Sequence, residues 1–327
     1  MVRIRQRWSL VLLGLLVGVG FAACKKDSTG GSSDKSSEAS GGGPGGDLAL
    51  LPAESEVVIG MNLGQVQQSG LWKQFVEPRL AAGGSQQQMM NEFKAKCGAD
   101  PMKMVSSVTV GIRGFSDKPS AVAVLHGLDK AKLLDCLDKT KADIAKNGGE
   151  VTRDGDVLLY KSDRSDPVAV LFTSDSTAVA VAGPNASAAA VKAVVAGGSS
   201  LKSSAPFLEM YKKLKTTDSI WGLASGKVMD RIPLGLKVTA AYGSINVTDG
   251  LAVDTRLRFD KPEAATQAAD MANSQTKALV PQYVDKAEAT ADGTELHVSV
   301  AVSGQKLPGL IPILTMAVAG LSGMGGN

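Results

Sequence analysis

The chain has 327 residues, enough for about two domains at ~150 residues each. Apolar residues make up 44% and charged residues 20%, ordinary globular usage that excludes a wholly disordered chain and a polytopic membrane protein. Aromatics are only 4%, too few for the stacking platforms that bind single-stranded nucleic acid, and the formal net charge is a modest +3.

Residues 1–8 carry Arg3, Arg5 and Arg7 and no acidic residue. An apolar run follows from Leu10 to Val19, and then Gly20, Phe21, Ala22, Ala23 and Cys24. A basic start, a short apolar run and small residues before a cut site describe a secretory signal peptide. The stretch 10–23 falls short of the ~20 residues that a membrane-spanning helix needs. Phe21-Ala22-Ala23-Cys24 resembles the lipobox of bacterial lipoproteins, with Phe21 where that family prefers Leu. The resemblance covers residues 1–24. It implies a diacylglyceryl thioether on Cys24, cleavage before Cys24 and attachment to a membrane through acyl chains. An uncleaved anchor and an ordinary secretory cut are the alternatives. Lys25, rather than Asp, follows Cys24. By the same resemblance this implies the outer membrane, facing the periplasm.

Loss of Arg3, Arg5 and Arg7 leaves 32 basic and 32 acidic residues. A neutral body gives no electrostatic reason to expect a nucleic-acid partner. Residues 25–47 contain no large apolar side chain. Such a segment cannot bury enough surface to offset its ordering entropy, and it reads as a disordered tether with a reach of about 25 Å.

The body then alternates between strand and helix patterns. Val57–Leu63 reads as a strand and is followed by helical spacing at Leu71 and Phe75, then at Met89, Phe93 and Cys97. Val105–Arg113 and Ser120–Leu125 read as strands around a turn at 115–119. Asp129 caps a helix to about Asn147, and a hairpin over 150–161 turns at Asp154-Gly155. A second hairpin pairs Val168–Phe172 with Thr177–Ala182, and Asn185 caps an Ala-rich helix. Residues 197–204 form a Gly/Ser/Lys linker, with a helix over 205–214 beyond it. Strands at 219–224, 237–247 and 251–259, a helix over 261–279 and a final hairpin over 284–302 complete the pattern.

The order strand, helix, strand, strand, helix, strand predicts an α+β fold of two ferredoxin-like βαββαβ units with antiparallel sheets. The predicted boundaries are residues 1–23 for the signal peptide, 24–47 for the lipidated Cys and linker, 48–200 for the first unit and 201–327 for the second. The Asp154-Gly155 and Asp292-Gly293 turns, and the residues before each unit's helix at 127–130 and 259–261, suggest an internal repeat. Only Cys97 and Cys136 remain after Cys24. Two thiols in an oxidising compartment read as a disulfide, with two separately buried cysteines as the alternative. The apolar tail 307–324 is broken by Pro308, Pro312 and Gly320, too short to span a bilayer, and reads as packing on a sheet or over a groove.

Chemistry-bearing patterns are few. His126 and His297 lie in or at the end of predicted strands, with no second metal ligand at a recognisable offset. Ser-x-x-Lys occurs at Ser199, Ser274 and Ser303, without the companion motifs of penicillin-binding proteins. Ser225-Gly226-Lys227 lacks the first Gly of a P-loop, since Trp221 stands there. Asp154, Asp156, Asp163 and Asp166 lack the spacing of a calcium loop. No cofactor and no catalytic set is therefore expected. The leading expectation is a lipid-anchored envelope protein that binds or scaffolds another component. A carrier of a lipid or other apolar ligand is the first alternative, drawn from the tail and from Met89, Met90, Met102 and Met104. An enzyme of unrecognised type, using His126 or His297, is the second.

Overall fold

The computed structural model describes residues 44–81, 84–114, 118–163, 165–231, 236–276 and 282–310. The predicted signal peptide, Cys24, most of the linker, and the tail beyond Leu310 lie outside the described residues. The described residues form two compact units, one from 44–64 and 88–212 and the other from 65–87 and 213–310.

The first unit holds strands β1 (Val57–Asn62), β2 (Ser107–Arg113), β3 (Ser120–His126), β4 (Gly149–Asp154), β5 (Val157–Ser162), β6 (Ser165–Phe172) and β7 (Thr177–Ala182). Their order is β1-β2-β3-β7-β6-β5-β4, with every pair antiparallel. Helix α1 (Pro44–Asp47) opens the unit, and α2 (Leu63–Gln68) begins at its edge. Helix α3 (Glu77–Ala81) belongs to the second unit. Helix α4 (Ser85–Cys97) reaches the first unit from Gln88 onward. Helices α5 (Lys130–Lys146), α6 (Ala188–Ala196) and α7 (Ala205–Tyr211) complete the first unit.

The second unit holds β8 (Ile220–Ser225), β9 (Val238–Asn246), β10 (Gly250–Phe259), α8 (Pro262–Thr276), β11 (Lys286–Asp292) and β12 (Glu295–Ser303). Its sheet order is β8-β9-β10-β12-β11, again antiparallel throughout.

These pairings overturn the two ferredoxin-like units. In βαββαβ topology the strands flanking the first helix run parallel, and a third strand separates them. Here β1 and β2 are direct antiparallel neighbours, with Val57 opposite Ile112 and Asn62 opposite Ser107. The next helix, α5, does not return the chain beside β1. It carries the chain to the far edge at β4, and three hairpin steps bring β7 back against β3. The second unit repeats this move in shorter form: α8 leads to the edge strand β11, and β12 returns against β10.

Period-two alternation gives each sheet two different faces. On one face of the first unit lie Val58, Val124 and Val179, all fully buried, with Leu51 resting on Gly111. Full burial of each such side chain contributes roughly 1.5–3 kcal/mol. A side chain at Gly111 would collide with the Ser55 hydroxyl and touch Leu51, so glycine allows that segment to lie close. On the other face α5 presents Leu133, Leu134 and Leu137 to Leu125, Leu158, Phe172 and Ala178. Asp129 caps this helix by accepting from the Lys132 N–H at 3.0 Å. The Ala-rich helix α6 is capped by Ser187, whose hydroxyl accepts from the Ala190 N–H at 3.2 Å, rather than by Asn185.

In the second unit α8 packs Ala265 and Ala269 against Phe259, Ala289 and Leu296. Small side chains on α8 let the helix approach the sheet closely. The hairpins at Asp154-Gly155 and Asp292-Gly293 turn at glycines with φ of 60° and 57°, which a side chain disfavours.

Candidate functional site

Both histidines end up against carboxylates. Strand register places His126 opposite Ser107 on one side and Thr177 on the other. Thr109, two residues along β2, shares that face. Helix α1 then delivers Asp47 to it. Asp47 Oδ2 accepts from the Thr109 hydroxyl at 2.6 Å, and Asp47 Oδ1 lies 2.9 Å from His126 Nε2. His126 Nδ1 lies 3.3 Å from the Thr177 hydroxyl. Asp47 and Thr109 are each 4% exposed. A buried carboxylate is costly unless paired and hydrogen-bonded, and both oxygens of Asp47 are engaged. The result is a polar pin that holds residues 44–48 on the sheet.

The carboxylate, imidazole and hydroxyl stand in the order used to activate a hydroxyl nucleophile. Thr177 lies at the long end of hydrogen-bond reach and opens a strand beside the tight turn at 173–176. Asp47 and Thr109 are buried, so the same contacts also hold residues 44–48 against the sheet.

The second unit carries a denser cluster on the sheet face away from α8. Asp254, Arg256 and Arg258 alternate along β10, and Glu295 and His297 along β12. Register sets Arg258 opposite Glu295 and Arg256 opposite His297. Arg258 donates to Glu295 Oε1 at 2.7 Å, and Lys213 donates to Oε2 at 2.8 Å. Asp254 accepts from Lys215 at 2.7 Å and lies 2.9 Å from His297 Nε2. Glu295 is 8% exposed. Burial acts to raise its pKa, but the Lys213 and Arg258 contacts outweigh it and lower the value to about 2. Burial likewise opposes ionisation of Asp254, and Lys215 and His297 overcome it, so its pKa is lowered. Tyr242 is pushed up, first by burial and then by the Glu295 charge beside it. Its hydroxyl is buried without meeting full hydrogen-bond geometry to any described group. Apart from the Tyr242 hydroxyl, these groups satisfy one another, and the cluster reads as an interlocked polar face.

Cys97 and Cys136 form a disulfide between α4 and α5. The neighbouring Lys96 donates to Asp143 of α5 at 2.6 Å, a second link between the same helices, and this contact lowers the Asp143 pKa. An open cleft of about 440 Å³ is lined by Gly148, Gly149, Glu150, Lys161, Ser162, Asp163 and Pro167. Its lining mixes the charged side chains of Glu150, Lys161 and Asp163 with glycine and proline. Among the described residues, no group of three or more metal-ligating side chains converges, and no helix is long and apolar enough to cross a membrane.

Sequence reasoning singled out His126 and His297 but missed their partners Asp47 and Asp254, as well as Glu295 and Arg258. The alternating charges of Asp254, Arg256 and Arg258 within a strand were the available signal. Asp47 offered none, since it closes the polar, Gly/Ser-rich stretch 25–47 of the sequence.

No protein-family model and no curated protein matches this chain. Among solved structures, crystal form III of TP0453 is 10% identical with a TM-score of 0.48, covering 81% of this chain and 96% of that one. Crystal form I of TP0453 is 11% identical with a TM-score of 0.48, covering 82% and 97%. A likeness at this level carries no functional conclusion.

Proposed function

We propose that this protein is a lipid-anchored component of a bacterial cell envelope whose body binds or scaffolds another envelope component. The observation that carries the reading is the N-terminal pattern: three arginines, the apolar run 10–19 and Phe21-Ala22-Ala23-Cys24. The disulfide supports it, because Cys97 and Cys136 stay bridged in an oxidising compartment. The mutual pairing of the ionisable groups on the second unit supports a non-catalytic role. The anchor is the acyl chains on Cys24, and each buried CH₂ adds ~0.8 kcal/mol to attachment. Lys25 favours the outer membrane, with the body in the periplasm. The balanced charge of the chain after Cys24 argues against a nucleic-acid partner.

Metabolic labelling with a palmitate analogue tests the reading. The full-length chain should incorporate label and stay with membranes through a high-salt wash, while Cys24→Ser should lose both. Unlabelled wild-type chain, or a Cys24→Ser variant that still resists the wash, would reject the anchor.

A further inference from the structure

Asn273 of α8 bonds to Ala289 of β11 as a neighbouring strand would. Its side-chain nitrogen donates to the Ala289 carbonyl at 2.8 Å, and its side-chain oxygen accepts from the Ala289 N–H at 3.1 Å. Among the described residues β11 ends the sheet, with β12 on its other side. Successive residues of an antiparallel strand turn their N–H and C=O together to alternate sides. Ala289 gives both groups to Asn273, so Ala287 and Ala291 turn theirs to the same outer edge. Side chains alternate with the same period. Ala289 packs under α8, and Lys286, Glu288, Thr290 and Asp292 are exposed on the opposite face. An edge of this kind is a template for another strand.

We propose that Asn273 closes this edge against β11 of a second copy. The β11 sequence is complementary to itself in one register. About a two-fold axis through Ala289, perpendicular to the sheet, Lys286 of each copy lies opposite Asp292 of the other, and Glu288 lies opposite Thr290. The bonded positions are then Ala289 with Ala289 and Ala287 with Ala291, the residues that turn outward. An axis at Glu288 would set two glutamates side by side, and one at Thr290 would set Glu288 opposite Asp292. Directly opposed like charges destabilise a strand pair, whereas opposite charges support it. Asp292 also lies opposite Glu295 across the β11–β12 ladder, so a lysine on its outer side relieves two neighbouring carboxylates. Such a contact uses the same surface in both copies and closes at two chains. Asn273 holds the position on the axis, and each copy must release both bonds to Ala289 before the ladder can form.

Native mass spectrometry of the full-length chain, extracted from a bacterial envelope in mild detergent, tests this. The parent should give the mass of one chain. Asn273→Ala, and Asn273→Ser with a side chain too short to span Ala289, should each give twice that mass. In the Asn273→Ala background, Lys286→Glu should return the single-chain mass, and adding Asp292→Lys should restore the doubled one. A parent that is already dimeric would overturn the closing role of Asn273. Single-chain mass in both Asn273 variants would overturn the strand contact, as would a dimer indifferent to Lys286→Glu or a charge swap that restores nothing. All masses are compared within one preparation, so the outcome does not depend on acylation of Cys24.

Discussion

His126 Nε2 lies 2.9 Å from Asp47 Oδ1, joining the last residue of β3 to the last residue of α1. The same carboxylate accepts from Thr109 on β2. The carboxylate therefore clamps α1 across two strands.

Removing one partner leaves the other buried and unsatisfied, which costs about 1–3 kcal/mol. Asp47→Ala is expected to lower the unfolding free energy from a urea titration by that amount, and Thr109→Val by less, about 1 kcal/mol, because Asp47 keeps His126. An Asp47→Ala variant as stable as the parent would show that the clamp is dispensable.

Leu51 follows the clamp and is fully buried against Gly111. Its main-chain carbonyl accepts from the Leu201 N–H at 2.9 Å. Leu51→Ala should destabilise the first unit by about 2–5 kcal/mol, as a cavity in a packed core does. Amide exchange should show the loss spread over β1 and β2. Unchanged protection there would place residues 48–56 off the sheet.

The largest contribution to the acid response lies in the second unit. Glu295 has its pKa lowered from 4.5 to about 2 in the fold, and Asp254 is lowered in the same direction. A group depressed in the fold contributes stability that is present above its unfolded value and lost as pH falls through its folded value. Denaturant midpoints should therefore hold above pH 5 and drop between about pH 4.5 and pH 2. Glu295→Gln should be less stable at pH 7 and show a shallower drop. A parallel acid profile in both proteins would remove Glu295 from the explanation.

The Cys97–Cys136 bridge closes a loop with a sequence separation of 39. The chain-entropy model assigns such a loop about 4 kcal/mol as an upper figure. Replacing both cysteines by Ser should cost up to that much, with Lys96–Asp143 retaining part of the contact between α4 and α5. Identical melting of the oxidised and reduced parent would argue that the helices do not depend on the bridge.

Local signals were legible because they act over a few residues. Alternating Val and Ala marked β3 and β7, an apolar residue at every second position marked β2, Asp129 marked the start of α5, and Asp-Gly marked two hairpins. The disulfide was also legible, from compartment chemistry rather than from the fold in which it was placed. The βαββαβ arrangement failed on two relationships, the direct antiparallel pairing of β1 with β2 and the passage of α5 to the far edge at β4. The sequence of β1 does not record that β2 runs beside it rather than one strand away.

What the sequence by itself determined is the address at Cys24 as an expectation, the run of strands and helices, and the apolar face each strand offers. Those follow from hydrophobic period and turn chemistry, which are local. Only the tertiary structure decided which edges pair, that α5 and α8 carry the chain to a far edge before it returns, and that His126 meets Asp47 across 79 positions. Strand partners exchange nearly equivalent backbone hydrogen bonds, so the choice among them rests on how distant side chains pack together.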